Sequence, residues 1–168
     1  MALVLGLTCL TSCSDFLNRQ PTNSGNADEA IATQRDAEVA INGMMFKMSS
    51  SSYYGRNFLL YGDAKGGDLT IYTNGRGNDN LYTFNHTPTS GTYQAFWSQI
   101  YDCIMQANNL IENIDKRQAD GNTALNYYKG EALSLRALFY FDLVRLYGLP
   151  YNYNKTSYGV PLVLTTLD

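Results

Sequence analysis

Charge is scarce in this 168-residue chain: 16% of its residues are Asp, Glu, Lys or Arg, and the formal net charge is −3. A chain with no basic footprint has little means of holding a phosphate backbone, which excludes nucleic acid as a partner class. Histidine is scarcer still. His86 is the single imidazole, and no serine elbow or neighbouring cysteine accompanies it, so catalysis built on imidazole finds no constellation. The glycines at 75 and 77 do not continue into a dinucleotide fingerprint, and Ala64-Lys65-Gly66-Gly67-Asp68 is not a phosphate loop. Metal-ligand spacing is absent. Carboxylates form no recognisable pair: Asp63 and Asp68 lie five apart in a glycine-rich stretch, and glycoside hydrolysis depends on a separation that sequence does not display. The expectation is a non-enzyme without a cofactor. Long internal apolar runs are also missing, and none approaches the roughly 20 residues that span a bilayer.

Cysteine is limited to three residues, Cys9, Cys13 and Cys103. The first twelve residues carry no charge and are dominated by Ala, Val, Leu and Met, followed by Cys13 and an abrupt polar switch, Ser14-Asp15. Leu10-Thr11-Ser12-Cys13 resembles a bacterial lipobox, in which the cysteine thiol takes a diacylglycerol and the chain is cut just before it. That reading makes residues 1–12 a signal segment, Cys13 a lipid anchor and 13–26 a tether. Because no Lys or Arg precedes Arg19, the expected start lies upstream. Only Cys103 would then remain as a free thiol, and in an apolar helical pattern it reads as a small core residue rather than a nucleophile.

What the chain has in plenty is aromatic: fourteen Tyr and seven Phe, with Asn and Gly gathered mid-chain. Tyrosine suits both cores and wet binding surfaces, having an apolar ring and a polar tip. Helical periodicity recurs three times. Ala37, Ala40, Ile41, Met44, Met45 and Met48 make one face after a Thr33–Asp36 capping pair, and the serines at 49–52 end that helix. Trp97, Ile100, Tyr101, Ile104, Ala107, Ile111 and Ile114 form a second stripe. Tyr128, Ala132, Leu135, Phe139 and Leu143 form a third. Leu138, Phe141 and Val144 widen its arc, so this helix, 124–147, should be buried on two sides. Gly148 and Pro150 stop it. The last two helices, joined by a few polar residues, should be antiparallel neighbours. Their pairing resembles a tetratricopeptide hairpin, although no second copy recurs at a fixed period. Between the first and second stripes, residues 53–91 read as irregular, with at most a short strand at 69–73. The apolar strip at 160–164 finds no partner in the pattern.

Cys13-Ser14-Asp15-Phe16-Leu17, the "AEVAINGMM" helix, "FWSQIYDCIMQANNLIENID", "EALSLRALFYFDLVRLYG" and "YGVPLV" together resemble the N-terminal part of SusD/RagB-type outer-membrane lipoproteins. The resemblance covers essentially the whole chain and implies a mainly α, tetratricopeptide-like domain over 27–168 carrying a long Gly/Asn/Tyr-rich loop. Members of that family are roughly three times longer, so the expectation is an N-terminal fragment. The resemblance further implies glycan binding at the cell outer membrane, beside a TonB-dependent SusC-type transporter that receives the oligo- or polysaccharide. Sugar rings stack on aromatic faces and bond through hydroxyls, and the middle loop interleaves suitable residues: Tyr72, Arg76, Asn78, Asp79, Tyr82, Asn85 and His86, with Asn74 and Asn80 among them. Each of these also fits an ordinary solvated loop. Trp97 lies on a helical stripe and reads as core. An alternative of another class is a helical-repeat protein-interaction module without glycan binding, which would use helix faces rather than the loop.

Overall fold

The computed structural model describes residues 31–70, 72, 87–89, 91–119, 121 and 123–166. Thr33 opens the first helix, α1 (Gln34–Met48), with a reciprocal cap: its hydroxyl accepts from the Asp36 amide, and its own amide donates to the Asp36 carboxylate at 2.8 Å. These bonds hold the Asp36 carboxyl below its ordinary range. Ala37, Ile41 and Met44 turn inward. Met45, expected on that apolar face, is half exposed, because it falls outside the arc that meets the neighbouring helices.

The region expected to be irregular contains a second helix, α2 (Asn57–Gly66). Its glycines weigh against helix locally, but packing overrides them. Phe58 and Tyr61 meet the ring of Phe96 edge-on, and Ala64 is buried. Gly67 ends α2 in the left-handed region at φ 85°, where its amide reaches the Asp63 carbonyl. Leu69, Thr70 and Tyr72 adopt no regular structure; residues 71 and 73 of the expected strand lie outside the described residues.

The two long helices are α3 (Gly91–Ala119) and α4 (Asn126–Tyr147). They pack along one another, and α1 packs against both. The expected α3 stripe is buried or half-buried throughout, and it is broadened by Phe96, Cys103 and Leu110. Cys103 is fully buried, and burial, with Asp102 beside it, pushes its thiol up to about 11. It is an inert core residue at neutral pH. On α4, Phe139 and Leu143 of the third stripe are fully buried. Phe141 and Val144, expected to widen the buried arc, lie exposed on another side of α4 instead.

The apolar strip at 160–164 does have a partner. It runs extended across α3 and α4, gripped by polar side chains through its backbone: the Tyr101 hydroxyl donates to the Pro161 carbonyl, and the Asn108 amide to those of Val163 and Thr165. Its apolar composition suggested a demand for burial, yet Leu162 and Leu164 point to solvent. At its end the Thr166 amide and hydroxyl donate to Glu112, and those bonds hold the Glu112 carboxyl below its ordinary value of 4.5.

Candidate functional site

An antiparallel hairpin places the start of α3 beside the end of α4. At that end of the molecule lies a cleft of about 560 Å³, lined by Thr87, Pro88, Tyr93, Gln94, Trp97, Ser98 and Tyr147. The α3 residues at 93, 94, 97 and 98 share one side of the helix because i and i+4 positions are neighbours. Tyr147 comes from the last turn of α4.

Two hydrogen bonds lock the aromatic wall. The Tyr93 hydroxyl donates to the Leu146 carbonyl at 2.5 Å, and the Tyr147 hydroxyl donates back to the Tyr93 carbonyl at 2.5 Å. Their ring centroids are 4.6 Å apart. Trp97 meets Tyr147 edge to face at 5.0 Å and Tyr101 at 4.8 Å, while Tyr61 stacks behind Tyr93. Burial pushes the Tyr93 hydroxyl up to about 12, with Tyr61 adding to the shift, and burial raises Tyr147 as well. Both phenols therefore stay neutral at physiological pH.

With those hydroxyls engaged on backbone, the rings offer carbon faces to the cleft. Gln94, Ser98 and Thr87 add an amide and hydroxyls at its rim. Among the described residues, no carboxylate, imidazole or thiol lines it. The arrangement suits a ligand with apolar faces and hydroxyl edges, and its volume falls within the range of small-molecule sites, about 300–1,000 Å³.

Of the residues nominated in the middle loop, Tyr72 is described, and it is 84% exposed and not part of the cleft lining. Arg76, Asn78, Asp79, Tyr82, Asn85 and His86 lie outside the described residues, as does Cys13. Trp97, read as core, is half-buried: it packs against the core and also lines the cleft. Nothing in the local sequence pattern marks Tyr93 and Tyr147 as site residues. The available signal was their position at adjoining ends of two helices expected to be antiparallel.

Residues 15–167 match the SusD-like family described as "Starch-binding associating with outer membrane". The chain belongs to the SusD-like family. Among its SusD-like relatives, SusD-like protein P2 of Formosa agariphila is 37% identical over 155 residues, which cover 89% of this chain and 30% of that protein. SusD-like protein P38 of the same organism is 27% identical, with 95% of this chain and 29% of that protein covered. A SusD-like protein of Bacteroides ovatus is 28% identical, covering 87% of this chain and 27% of its own length. The chain thus spans about 30% of the length of the curated SusD-like relatives it matches. No solved structure matches it. The helical fold fits the SusD-like assignment, and no helix among the described residues is long and apolar enough to cross a membrane.

Proposed function

We propose that this SusD-like chain takes part in capturing oligo- or polysaccharide at the outer-membrane surface, without catalysis, and that sugar is passed to a TonB-dependent SusC-type transporter. The observation that carries this reading is the aromatic cleft of Tyr93, Trp97 and Tyr147, rimmed by Gln94 and Ser98, on a chain of a family described as starch-binding. Aromatic faces receive the apolar faces of sugar rings, and the rim groups receive hydroxyls. The middle-loop residues Tyr72, Arg76, Asn78, Asp79, Tyr82, Asn85 and His86 belong to the same proposal as further sugar contacts.

Trp97 is the single tryptophan of the chain, so indole emission comes from the cleft wall. Titration with a panel of soluble polysaccharides that includes starch should shift or quench that emission saturably. Trp97→Ala should weaken retention on the matching affinity gel about ten-fold, about 1.4 kcal/mol, with far-UV circular dichroism unchanged. Gln94→Ala, at an exposed position, should cost about 1 kcal/mol. Retention that persists in Trp97→Ala would move the sugar site elsewhere.

Cys13 is proposed as the lipid anchor that holds the chain at the membrane. Several acyl chains anchor stably, since each buried methylene contributes about 0.8 kcal/mol. Given a complete signal, the wild type should incorporate labelled fatty acid and Cys13→Ala should not; label in the variant would remove the anchor from this position.

One observation favours the protein-interaction reading. Phe46 is 79% exposed and Val39 61%, both on α1, and a nearby groove is lined by Met45, Tyr127 and Leu135. Absence of retention on every polysaccharide tested, with silent Trp97 emission, would leave that reading in place of the glycan one.

A further inference from the structure

Residues 160–166 cross the α3/α4 hairpin in extended form, and the hairpin holds them by their backbone. The Tyr140 hydroxyl donates to the Val163 carbonyl at 2.7 Å and accepts from the Val163 amide at 2.6 Å. The Asn108 amide donates to Val163 O at 2.9 Å and to Thr165 O at 3.1 Å, and its own carbonyl accepts from Arg136 at 2.8 Å. Arg136 also reaches the Leu164 carbonyl, and the Tyr101 hydroxyl reaches that of Pro161.

Asn108 is fully buried in the middle of α3. Both amide hydrogens are spent on this segment, and they would be left unsatisfied without it, which is costly for a buried group. Residues 101, 108, 136 and 140 thus form a ladder of donors and acceptors matched to an extended main chain. On the segment itself, Val160 and Val163 are partly buried, whereas Leu162 is 71% and Leu164 53% exposed. Side-chain identity at 162 and 164 therefore contributes little to the grip.

We propose that the α3/α4 groove is a peptide-binding site that reads main chain, that residues 160–166 are its resident ligand, and that it takes an equivalent peptide in trans once the resident is untethered. The ligand class is an extended peptide with small β-branched residues at the 160 and 163 positions, a free N–H at 163, and no requirement at 162 or 164. In the intact chain the connection through 149–158 keeps the resident at a high effective concentration, of order millimolar for a short tether. Exchange is suppressed for that reason alone. The tether is open to solvent, with Tyr153 80% exposed and Tyr158 97%.

The test replaces residues 153–156 with a protease recognition sequence and cleaves the folded full chain. A fluorescent peptide, SYGVPLVLTT (residues 157–166), is then added. The released segment should stay with the body on gel filtration, and the labelled peptide should bind saturably to cleaved protein but at least about 100-fold more weakly to uncleaved protein. A peptide carrying Leu162→Lys and Leu164→Lys should bind within about two-fold, whereas N-methylation at Val163 should weaken binding at least ten-fold, by removing the donor to Tyr140. Asn108→Ala in the cleaved protein should also weaken binding at least ten-fold. The proposal is overturned if the lysine peptide fails while the N-methyl peptide binds, if labelled peptide does not bind to cleaved protein, or if cleavage unfolds the body by circular dichroism.

Discussion

Asp142→Ala is expected to destabilise the protein by about 3 kcal/mol or more. Asp142 is fully buried on α4 and collects three charge-assisted bonds: from the Tyr53 hydroxyl at 2.5 Å, the Tyr54 hydroxyl at 2.7 Å and the Arg145 guanidinium at 2.7 Å. Burial, then the bond to Asp142, pushes the Tyr54 hydroxyl up to about 12, and the same causes raise Tyr53 well above its ordinary value of 10. Both phenols thus remain donors across the physiological range. Removing the carboxylate strands the Tyr53 hydroxyl, which has no exposure to water, and opens a small cavity. Arg145 is half exposed and lies over the Phe58 and Phe141 rings, so it rehydrates and adds less to the loss. Urea denaturation reads the effect as a lowered midpoint with unchanged slope. Tyr53→Phe alone should cost about 1.5–3 kcal/mol. Adding Tyr53→Phe to Asp142→Ala should cost little more than Asp142→Ala, since the fully buried Tyr53 hydroxyl is then no longer there to be left unsatisfied. Full additivity of the two would show that they act independently.

Gly55→Ala should produce a comparable loss, about 3 kcal/mol, at the upper end of what overpacking costs. A β-carbon there would come within 2.1 Å of the Ser49 carbonyl oxygen and 2.7 Å of that of Ser50. Neither is the far end of a flexible side chain. The Ser50 carbonyl already accepts from the Tyr53 and Gly55 amides, and the Ser49 amide closes α1 on the Met45 carbonyl. Relief would therefore mean reopening the turn that delivers Tyr53 and Tyr54 to Asp142. Gly62→Ala is the control: it lies within α2 with open space around it, and should stabilise by about 0.5–1 kcal/mol. Thermal melts of the two variants should shift in opposite directions. A Gly55→Ala melt matching wild type would show that the turn tolerates a side chain.

The course of the chain through α1, α3 and α4 was legible from residue order because those helices bury one stripe each, and 3.6-residue periodicity is written into the sequence. The Thr33–Asp36 cap was legible for a similar reason, since both partners are three residues apart. Cys103 was readable as core from its place on a stripe. Interactions between residues far apart in the chain were not. Helix α2 exists because Phe58 and Tyr61 find Phe96, a gain that local glycine content conceals. Asp142 looks like one more charge on a helix until tertiary packing buries it against Tyr53, 89 residues earlier. The 160–164 strip has no partner in the apolar pattern, because the bonds that hold it come from Tyr101, Asn108, Arg136 and Tyr140 to its backbone. The aromatic cleft likewise arises from juxtaposition. Tyr93 and Trp97 face Tyr147 only when two helices lie antiparallel, so local periodicity determined the elements, and long-range packing decided which of their faces could bind.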